Sequence, residues 1–324
     1  MEIFKKIIKI IFFISLFIAI GYFGSLLYTQ YVIKPNALDS NLKSEQFYSV
    51  RSDASSIVYP FRNWEIKDDP LIQAKGALVV DIDSDFVFFQ NQPNIRRPIA
   101  SITKLMTALV AKKYIPVDEE ITITEESLKV DGDVPIFYLN EKVTANDLIR
   151  AMMIISSNKA AMALANHIGQ DKFVALMNEM AKQLEMTQTS YAEPTGLSFL
   201  NQSSPTDLKK LIKYIVTEYP NLLLIAQNSV DKIQGKSPDI IHELTNINLI
   251  AHHPPFLDEL NITYLGGKTG FTDEALQTFC GLFLVPSKRE NEQPKRILVV
   301  VLGTPNRYND IENLLKWLDK AYVF

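Results

Sequence analysis

Hydrophobic positions divide the chain into an uncharged amino-terminal stretch and a longer part where apolar residues recur with helix and strand periods. The first stretch, from Ile10 to Ile33, contains no charged residue and is long enough to cross a hydrocarbon layer of ~30 Å. Lysines precede it, so the amino terminus is expected to stay in the cytoplasm while the remainder is exported. The pattern predicts a transmembrane signal anchor over residues 1–33.

A cleaved signal peptide is the alternative for this segment. Its apolar region would normally span only about 7–15 residues and end in an A-x-A-like site, and the sequence offers no good site of that kind. We therefore expect a single-pass anchor in the cytoplasmic membrane, with a catalytic domain over residues 73–324 on the extracytoplasmic side. Residues 34–72 show no clean period and are expected to form a stalk or a peripheral wrap.

Within residues 73–324 the apolar periods predict both helices and strands. A helix is expected to follow Pro98 and to bury one stripe of apolar residues. A second helix opens at a capping box over Thr144–Asp147, and Ser156–Asn158 should interrupt it because short polar side chains compete for backbone hydrogen bonds. Strand patterns occur over Ala77–Ile82, Phe86–Gln90, Ile262–Thr272 and Arg296–Gly303.

Composition narrows the class of protein. The 324 residues are 47% hydrophobic, so the part after the anchor is large enough for one domain with two lobes. A net charge of −4 without a basic stripe gives no basis for nucleic-acid binding. The single Cys280 excludes an intramolecular disulfide and is expected to be a buried strand residue. None of the four histidines has a metal-ligand pattern such as H-E-x-x-H, so no metal is implied.

The first chemical signal is a serine followed three positions later by a lysine, Ser101-Ile-Thr-Lys104. This spacing places both side chains on one helix face. A serine hydroxyl needs an adjacent base at neutral pH, and lysine can be that base only if burial and a second cation lower its pKa. We therefore predict that Ser101 is a nucleophile and Lys104 its proton acceptor, rather than a helix cap and a surface lysine.

The second signal lies at the predicted helix break, Ser156-Ser-Asn158. A polar loop between two apolar helices can project Ser156 and Asn158 into a cleft. Ser156 is predicted to relay a proton to a leaving group, and Asn158 to hold a substrate amide. The alternative is a plain helix cap.

The third signal is Lys268-Thr-Gly270 within a predicted strand, where glycine lets a ligand approach the backbone. A peptide substrate is expected to lie along this strand as an added strand. Lys268 and Thr269 are predicted to bind its carboxylate, and the N–H groups of Phe271 and Ser101 to form an oxyanion hole. A P-loop does not fit, because Ile262 stands where that motif requires glycine.

Together these runs resemble the low-molecular-weight penicillin-binding proteins, the serine D-alanyl-D-alanine carboxypeptidase family. The resemblance implies an α+β, β-lactamase/transpeptidase-like fold: an antiparallel five-stranded sheet with flanking helices, joined to an all-helical lobe with the active site between them. It also implies that Ser101 is the acylated residue. Further runs that carry the resemblance are Ala77–Asp81, Ala100–Val110, Phe173–Asn178, Pro194–Leu197, Lys268–Thr272 and Arg296–Gly303.

Two positions depart from the family pattern. Ser157 replaces the usual glycine or alanine in the second motif, and it is expected to point away from substrate. After Thr272 the family usually has an Ala-Gly pair, whereas this chain has Ala275-Leu276. Because of Leu276, the family pattern does not predict the local backbone or the rim of the cleft in this chain.

The resulting functional prediction is a membrane-tethered D-Ala-D-Ala carboxypeptidase that trims peptidoglycan stem peptides through an acyl-serine and is inhibited by β-lactams. No metal or organic cofactor is implied. A D,D-endopeptidase of cross-linked peptidoglycan would share every motif. A class A-like β-lactamase would need a deacylating glutamate, for which Glu193 is the nearest candidate. A non-catalytic β-lactam-sensing or wall-binding protein is the fourth alternative.

Overall fold

The computed structural model describes residues 60–132, 136–289 and 292–323. A five-stranded antiparallel sheet lies at the centre of this part, together with short two-stranded pairs. The strands are β1 (Phe61–Arg62), β2 (Gly76–Asp81), β3 (Val87–Asn91), β4 (Arg97–Pro98), β5 (Glu120–Thr122), β6 (Lys142–Thr144), β7 (Gln202–Ser203), β8 (Val230–Lys236), β9 (Asp239–Thr245), β10 (Thr263–Thr272), β11 (Leu276–Val285), β12 (Lys295–Thr304) and β13 (Tyr322–Val323).

Helices make up most of the remainder of the described residues, with short 3₁₀ turns at Ala100–Ile102 and Leu249–His252. The helices are α1 (Thr103–Tyr114), α2 (Glu125–Leu128), α3 (Ala145–Ile154), α4 (Asn158–Ile168), α5 (Gln170–Gln183), α6 (Pro205–Glu218), α7 (Asn221–Ile225), α8 (Pro255–Glu259) and α9 (Arg307–Ala321).

The central sheet has the strand order β10-β11-β12-β2-β3, with antiparallel pairing throughout. Strand β2 is buried along its whole length, and β12 is buried from Ile297 onward. Continuous apolar runs of this kind are typical of strands that are covered on both faces. The terminal helix α9 packs its apolar side against the sheet within the core. The predicted α+β fold with a five-stranded antiparallel sheet is confirmed.

The helix that carries Lys104 is more enclosed than its sequence period predicts. Every residue of α1 from Thr103 to Ala111 is buried, whereas the spacing predicted a single buried stripe. The reason is that α1 packs against α3, α4 and α5 and also approaches strand β10. A helix surrounded in this way places polar as well as apolar residues in the interior, and Lys104 is one of them.

Local capping accounts for the break between α3 and α4. The side chain of Thr144 accepts a hydrogen bond from the backbone N–H of Asp147 at the start of α3. Ser157 does the same for Ala160 at the start of α4, so it has a capping role and is fully buried. The predicted helix break is confirmed, and it leaves Ser156 in a left-handed backbone conformation with φ of 61°.

The described part of the predicted stalk, residues 60–72, lies against the last elements of the chain. Strand β1 pairs with β13, and the guanidinium of Arg62 lies 5.3 Å from the ring centre of Trp317 and 5.2 Å from that of Tyr322. No helix in residues 60–132, 136–289 or 292–323 has the length and apolar character of a membrane span. The predicted anchor over residues 1–33 lies outside the described residues.

Candidate active site

Ser101 and Lys104 lie in contact at the junction between the 3₁₀ turn and α1. Lys104 Nζ is 2.9 Å from Ser101 Oγ, and Lys104 is fully buried. One helical turn therefore brings the hydroxyl and the amine together, as the S-x-x-K spacing predicts. This contact supports the predicted roles of Ser101 as nucleophile and Lys104 as base, which remain proposals.

Two further acceptors fix the direction of the Lys104 amine. Its Nζ donates to Asn158 Oδ1 and to the carbonyl oxygen of Thr195, each at 2.6 Å. A neutral amine has two hydrogens and one lone pair. When these two acceptors hold both hydrogens of the neutral amine, its lone pair is available to accept the Ser101 proton, which is the arrangement that a general base requires.

Asn158 thus contacts the base directly, while its amide nitrogen donates to the Asp131 carbonyl at 2.7 Å. The sequence assigned Asn158 to a substrate amide. That role stays a prediction, and the structure adds the contact with Lys104.

A second hydroxyl–amine pair faces the same cleft. Lys268 Nζ donates to Ser156 Oγ at 2.8 Å and to the Thr269 carbonyl at 3.1 Å. Burial, together with repulsion from Lys104 and Arg307, holds the pKa of Lys268 well below its ordinary value. Because repulsion between two cations is mutual, the pair favours a state in which the two amines are not both charged.

The close approach of strand β10 to the serine depends on Gly270. A methyl group on Gly270 would lie 2.8 Å from the Ser101 backbone nitrogen and 2.6 Å from Thr278 Oγ1. Only glycine therefore permits this spacing without a shift of the backbone. The strand brings the predicted oxyanion donor, the N–H of Phe271, to the same end of the sheet as the N–H of Ser101. The Phe271 side chain is exposed, whereas Thr269 is buried.

The comparisons agree with this geometry. The family model for D-alanyl-D-alanine carboxypeptidases, peptidase family S11, matches residues 64–306. The chain belongs to this family. It is 32% identical to a D-alanyl-D-alanine endopeptidase of Escherichia coli over 78% of this chain and 80% of that protein. It is 29% identical to the D-alanyl-D-alanine carboxypeptidase DacF of Bacillus subtilis over 77% of this chain and 62% of that protein.

Solved structures show the same fold. Penicillin binding protein 5 from Haemophilus influenzae matches with a TM-score of 0.65 and 26% identity, over 77% of this chain and 72% of that chain. A D-alanyl-D-alanine carboxypeptidase from Mycobacterium tuberculosis matches with a TM-score of 0.66 and 24% identity, over 81% of this chain and 95% of that chain. As a member of the S11 family, the chain is a serine peptidase.

Sequence reasoning missed the part played by the Pro194–Gly196 turn, which it noted only as a family run. Gly196 has φ of 90°, and a methyl group there would lie 2.1 Å from the Ala100 carbonyl oxygen. Thr107 Oγ1 on α1 donates to the Pro194 carbonyl at 2.6 Å. The turn is therefore packed directly on the segment that carries Ser101, and its Thr195 carbonyl accepts a hydrogen bond from Lys104. The Pro-Thr-Gly letters alone predict a turn, but not what the turn contacts.

Arg307 is the second residue that the sequence did not indicate. Its guanidinium donates to the carbonyl oxygens of Gly270 at 2.7 Å and Thr278 at 3.1 Å, which braces β10 and β11 behind the cleft. Burial lowers the pKa of Arg307 from its ordinary value. No motif marks this residue, because it follows a long apolar strand at the start of α9.

Glu193 occupies a place that does not suit a water-activating base. Its two carboxylate oxygens accept hydrogen bonds from several donors of its own loop and from Asn201. Within the described residues, no cluster of three or more His, Cys, Asp or Glu side chains has the arrangement of a metal site.

Leu276 stands where the family pattern usually has glycine. It lies at the start of β11 with φ of 56°, directly after the three-residue loop that joins β10 to β11. Such loops place their following residue in the left-handed region, which favours glycine. The departure from the family pattern therefore introduces local strain without changing the hairpin.

Replacing Leu276 with glycine is expected to stabilise the protein. Relief of the left-handed conformation should contribute about 1 kcal/mol and raise the melting temperature by about 2–4 °C in a domain of this size. Thermal unfolding of wild type, Leu276→Gly and Leu276→Ala measures the effect. The alanine variant keeps the Cβ atom and should show no comparable gain. Equal gains in both variants would contradict an origin in the backbone conformation.

Proposed function

We propose that Ser101 attacks the carbonyl of the penultimate D-alanine in peptidoglycan stem peptides that end in D-Ala-D-Ala. The Ser101 proton passes to Lys104 as the Oγ–carbon bond forms, and the carbonyl electrons move to the oxygen, where the N–H groups of Ser101 and Phe271 stabilise the charge. The observation that carries this proposal is a pair of hydrogen-bonded sets: Lys104 contacts Ser101 and Asn158, and Lys268 contacts Ser156.

Ser156 completes the acylation step in this proposal. The proton that Lys104 received passes through the Ser156 hydroxyl, which Lys268 orients, to the leaving amine of the terminal D-alanine, so that Lys104 becomes neutral again. The carbon–nitrogen bond breaks, D-alanine departs, and water then hydrolyses the acyl-enzyme. The proposed steps use side chains, backbone N–H groups and water, and no organic cofactor enters the proposed mechanism.

The substrate carboxylate is proposed to bind at Lys268 and Thr269. Lys268 is a buried amine on β10. Among the described residues, the Thr269 hydroxyl beside it has no hydrogen-bond partner of its own. β-Lactams present a strained amide beside a carboxylate, so they are expected to enter the same site and acylate Ser101.

A second activity, D,D-endopeptidase cleavage of cross-links, is favoured by one observation. The Escherichia coli relative at 32% identity is named an endopeptidase, and the Haemophilus influenzae relative of that name is 37% identical over 62% of this chain. The experiment is to supply purified enzyme with a stem pentapeptide and with a cross-linked dimer. Release of D-alanine from the pentapeptide supports the carboxypeptidase, and monomer formation from the dimer supports the endopeptidase. Cleavage of neither would contradict both.

The pH dependence of carboxylate recognition follows from Lys268. Since its pKa lies well below the ordinary value, the amine loses its proton at a lower pH than a surface lysine would. The value of kcat/KM for a peptide with a free carboxylate should therefore fall as pH rises, through a midpoint well below that of free lysine. A peptide amidated at its carboxyl terminus serves as the control and should lack this alkaline limb. A flat profile for the free acid would oppose the assignment.

The structure also bears on the β-lactamase alternative. The Glu193 carboxylate is fully used by its own loop, so we expect slow deacylation and a long-lived penicilloyl adduct. Rapid turnover of the antibiotic would favour the lactamase, and stable acylation without any peptide cleavage would favour a sensor.

We further propose that the chain is anchored in the cytoplasmic membrane by residues 1–33, with the catalytic domain outside. The uncharged run from Ile10 to Ile33 and the preceding lysines support this proposal. Amino-terminal sequencing of protein extracted from membranes tests it. A mature start near Ser25 would overturn the anchor.

A further inference from the structure

The Glu193 carboxylate lies at the centre of a dense set of hydrogen bonds beside Lys104. Oε2 accepts from the backbone N–H and the hydroxyl of Thr195, each at 2.6 Å. Oε1 accepts from the N–H of Gly196 at 2.7 Å and of Ser198 at 3.2 Å, and from Asn201 Nδ2 at 2.7 Å. A carboxylate with this many donors is fixed in one orientation, because both of its oxygens already accept two or more hydrogen bonds.

One of these hydrogen bonds leads directly to the base. The Gly196 N–H belongs to the same peptide group as the Thr195 carbonyl, which accepts from Lys104 Nζ at 2.6 Å. A peptide group whose N–H is bonded to an anion has a more negative carbonyl oxygen, because successive hydrogen bonds polarise one another. Bonds that involve charged groups are also roughly twice as strong as neutral ones. Glu193 thus contacts Lys104 through a single peptide group.

We propose that Glu193 is a positioning residue for acylation, which acts through the Thr195–Gly196 peptide group to orient the Lys104 amine and stabilise its protonated form. The inference rests on the proposed role of Lys104 as base. When the Ser101 proton moves to Lys104, an ammonium forms in a buried site beside another cation, Lys268. The polarised Thr195 carbonyl offsets part of that cost.

The arrangement follows the logic of an oriented base, in which a third group holds the base that activates the nucleophile. Asn201 ties the carboxylate to the nucleophile helix, because its Nδ2 also bonds Thr103 Oγ1 at 3.2 Å. The amine and the group that polarises its acceptor are therefore both anchored to α1.

Other charged groups around Lys104 act differently. Lys268 on β10 and Lys104 repel each other when both are charged, and repulsion from Arg307 on α9 lowers the pKa of Lys268 further. On α3, Arg150 is paired with Asp147 and with Asp231 of β8. The remaining charged groups on the neighbouring elements are Asp131 in the loop after α2, Lys159 and His167 on α4, and the exposed Asp171, Lys172, Glu179 and Lys182 on α5.

The test is the pH profile of acylation by a β-lactam in the full-length protein, compared between wild type and Glu193→Gln. A glutamine amide presents N–H groups to donors, so the bond to Gly196 is weakened or lost. Lys104 then becomes a weaker base: the acid limb should move to lower pH by about half a unit to one unit, and the plateau rate should fall about three- to tenfold. Ser198→Ala is the matched control, because it removes the Ser198 Oγ bond to Leu200 in the same loop and keeps the carboxylate.

If Glu193 had a merely structural role, Glu193→Gln would lower the amount of active enzyme and leave the acid limb at the wild-type pH. The control Ser198→Ala should also keep the acid limb at the wild-type pH. An unmoved limb in a folded Glu193→Gln variant would overturn the inference. If the wild type itself showed no acylation, or an acid limb that persisted after loss of Lys104, the proposed function would fail instead.

A second measurement covers the case in which Glu193→Gln does not fold. Labelling with ¹³C-threonine and ¹⁵N-glycine selects the two Thr-Gly pairs of the chain, Thr195–Gly196 and Thr269–Gly270. Ser198→Ala should perturb the first pair and so assign it. The Gly196 amide proton of the wild type is expected far downfield and should titrate with the same midpoint as the acid limb of acylation. A Gly196 signal that stays constant across that limb would contradict the relay.

Discussion

Replacing Lys104 with methionine is expected to reduce the acylation rate by about 10³-fold or more. Methionine fills a similar volume but carries no proton acceptor, so Ser101 loses the group that takes its proton, and general bases typically contribute 10²–10⁴-fold. The Asn158 Oδ1 and Thr195 carbonyl oxygens also lose the hydrogen bond from Lys104, and the loss of a buried hydrogen bond of this kind costs about 1–3 kcal/mol of stability.

The measurement is the second-order rate constant for penicillin acylation, with circular dichroism and thermal unfolding to verify the fold. Lys113→Met is the matched control, since Lys113 is exposed on the same helix and should leave the rate unchanged. A folded Lys104→Met variant that acylates within tenfold of wild type would contradict the role of Lys104 as base.

Much of the site follows from spacing along the sequence. The pair Ser101 and Lys104 comes together because residues three apart on a helix share a face, and the structure places them 2.9 Å apart. Glycine at position 270 signalled a close backbone approach, and a methyl group there would meet Ser101. The sheet was predictable because apolar runs such as Ala77–Val80 fit strands that are covered on both faces.

The remainder depends on tertiary contacts that no local pattern contains. The full burial of α1 arises from three helices that surround it, so a period computed along α1 alone shows only one stripe. The Thr195 carbonyl is a backbone atom, and no residue type identifies it as a partner of Lys104. Arg307 lies at the start of α9, just after β12, and its hydrogen bond to the Gly270 carbonyl on β10 forms only when the sheet brings these strands together.

At Leu276 the residue type alone would predict the wrong backbone conformation. Its side chain argued against the usual turn, yet the hairpin keeps the left-handed backbone, because pairing between β10 and β11 over many residues outweighs about 1 kcal/mol of local strain. The family pattern at this position thus predicts the backbone better than the residue does.

Ser101→Ala is expected to abolish peptide cleavage, with a loss of about 10⁴-fold or more, because it removes the hydroxyl that contacts Lys104. The substitution removes one oxygen atom at a partly buried position, so the fold should be retained. Ser157→Ala is a matched serine control: it removes a buried cap and should lower stability by about 1 kcal/mol without abolishing cleavage.

The most direct test of the central claim is the intact mass of the full-length protein after incubation with penicillin. Wild type should gain the mass of one antibiotic molecule, and peptide mapping should place it on Ser101, while Ser101→Ala should remain unmodified. An adduct that persists in Ser101→Ala would show that another residue is the nucleophile and would contradict the mechanism.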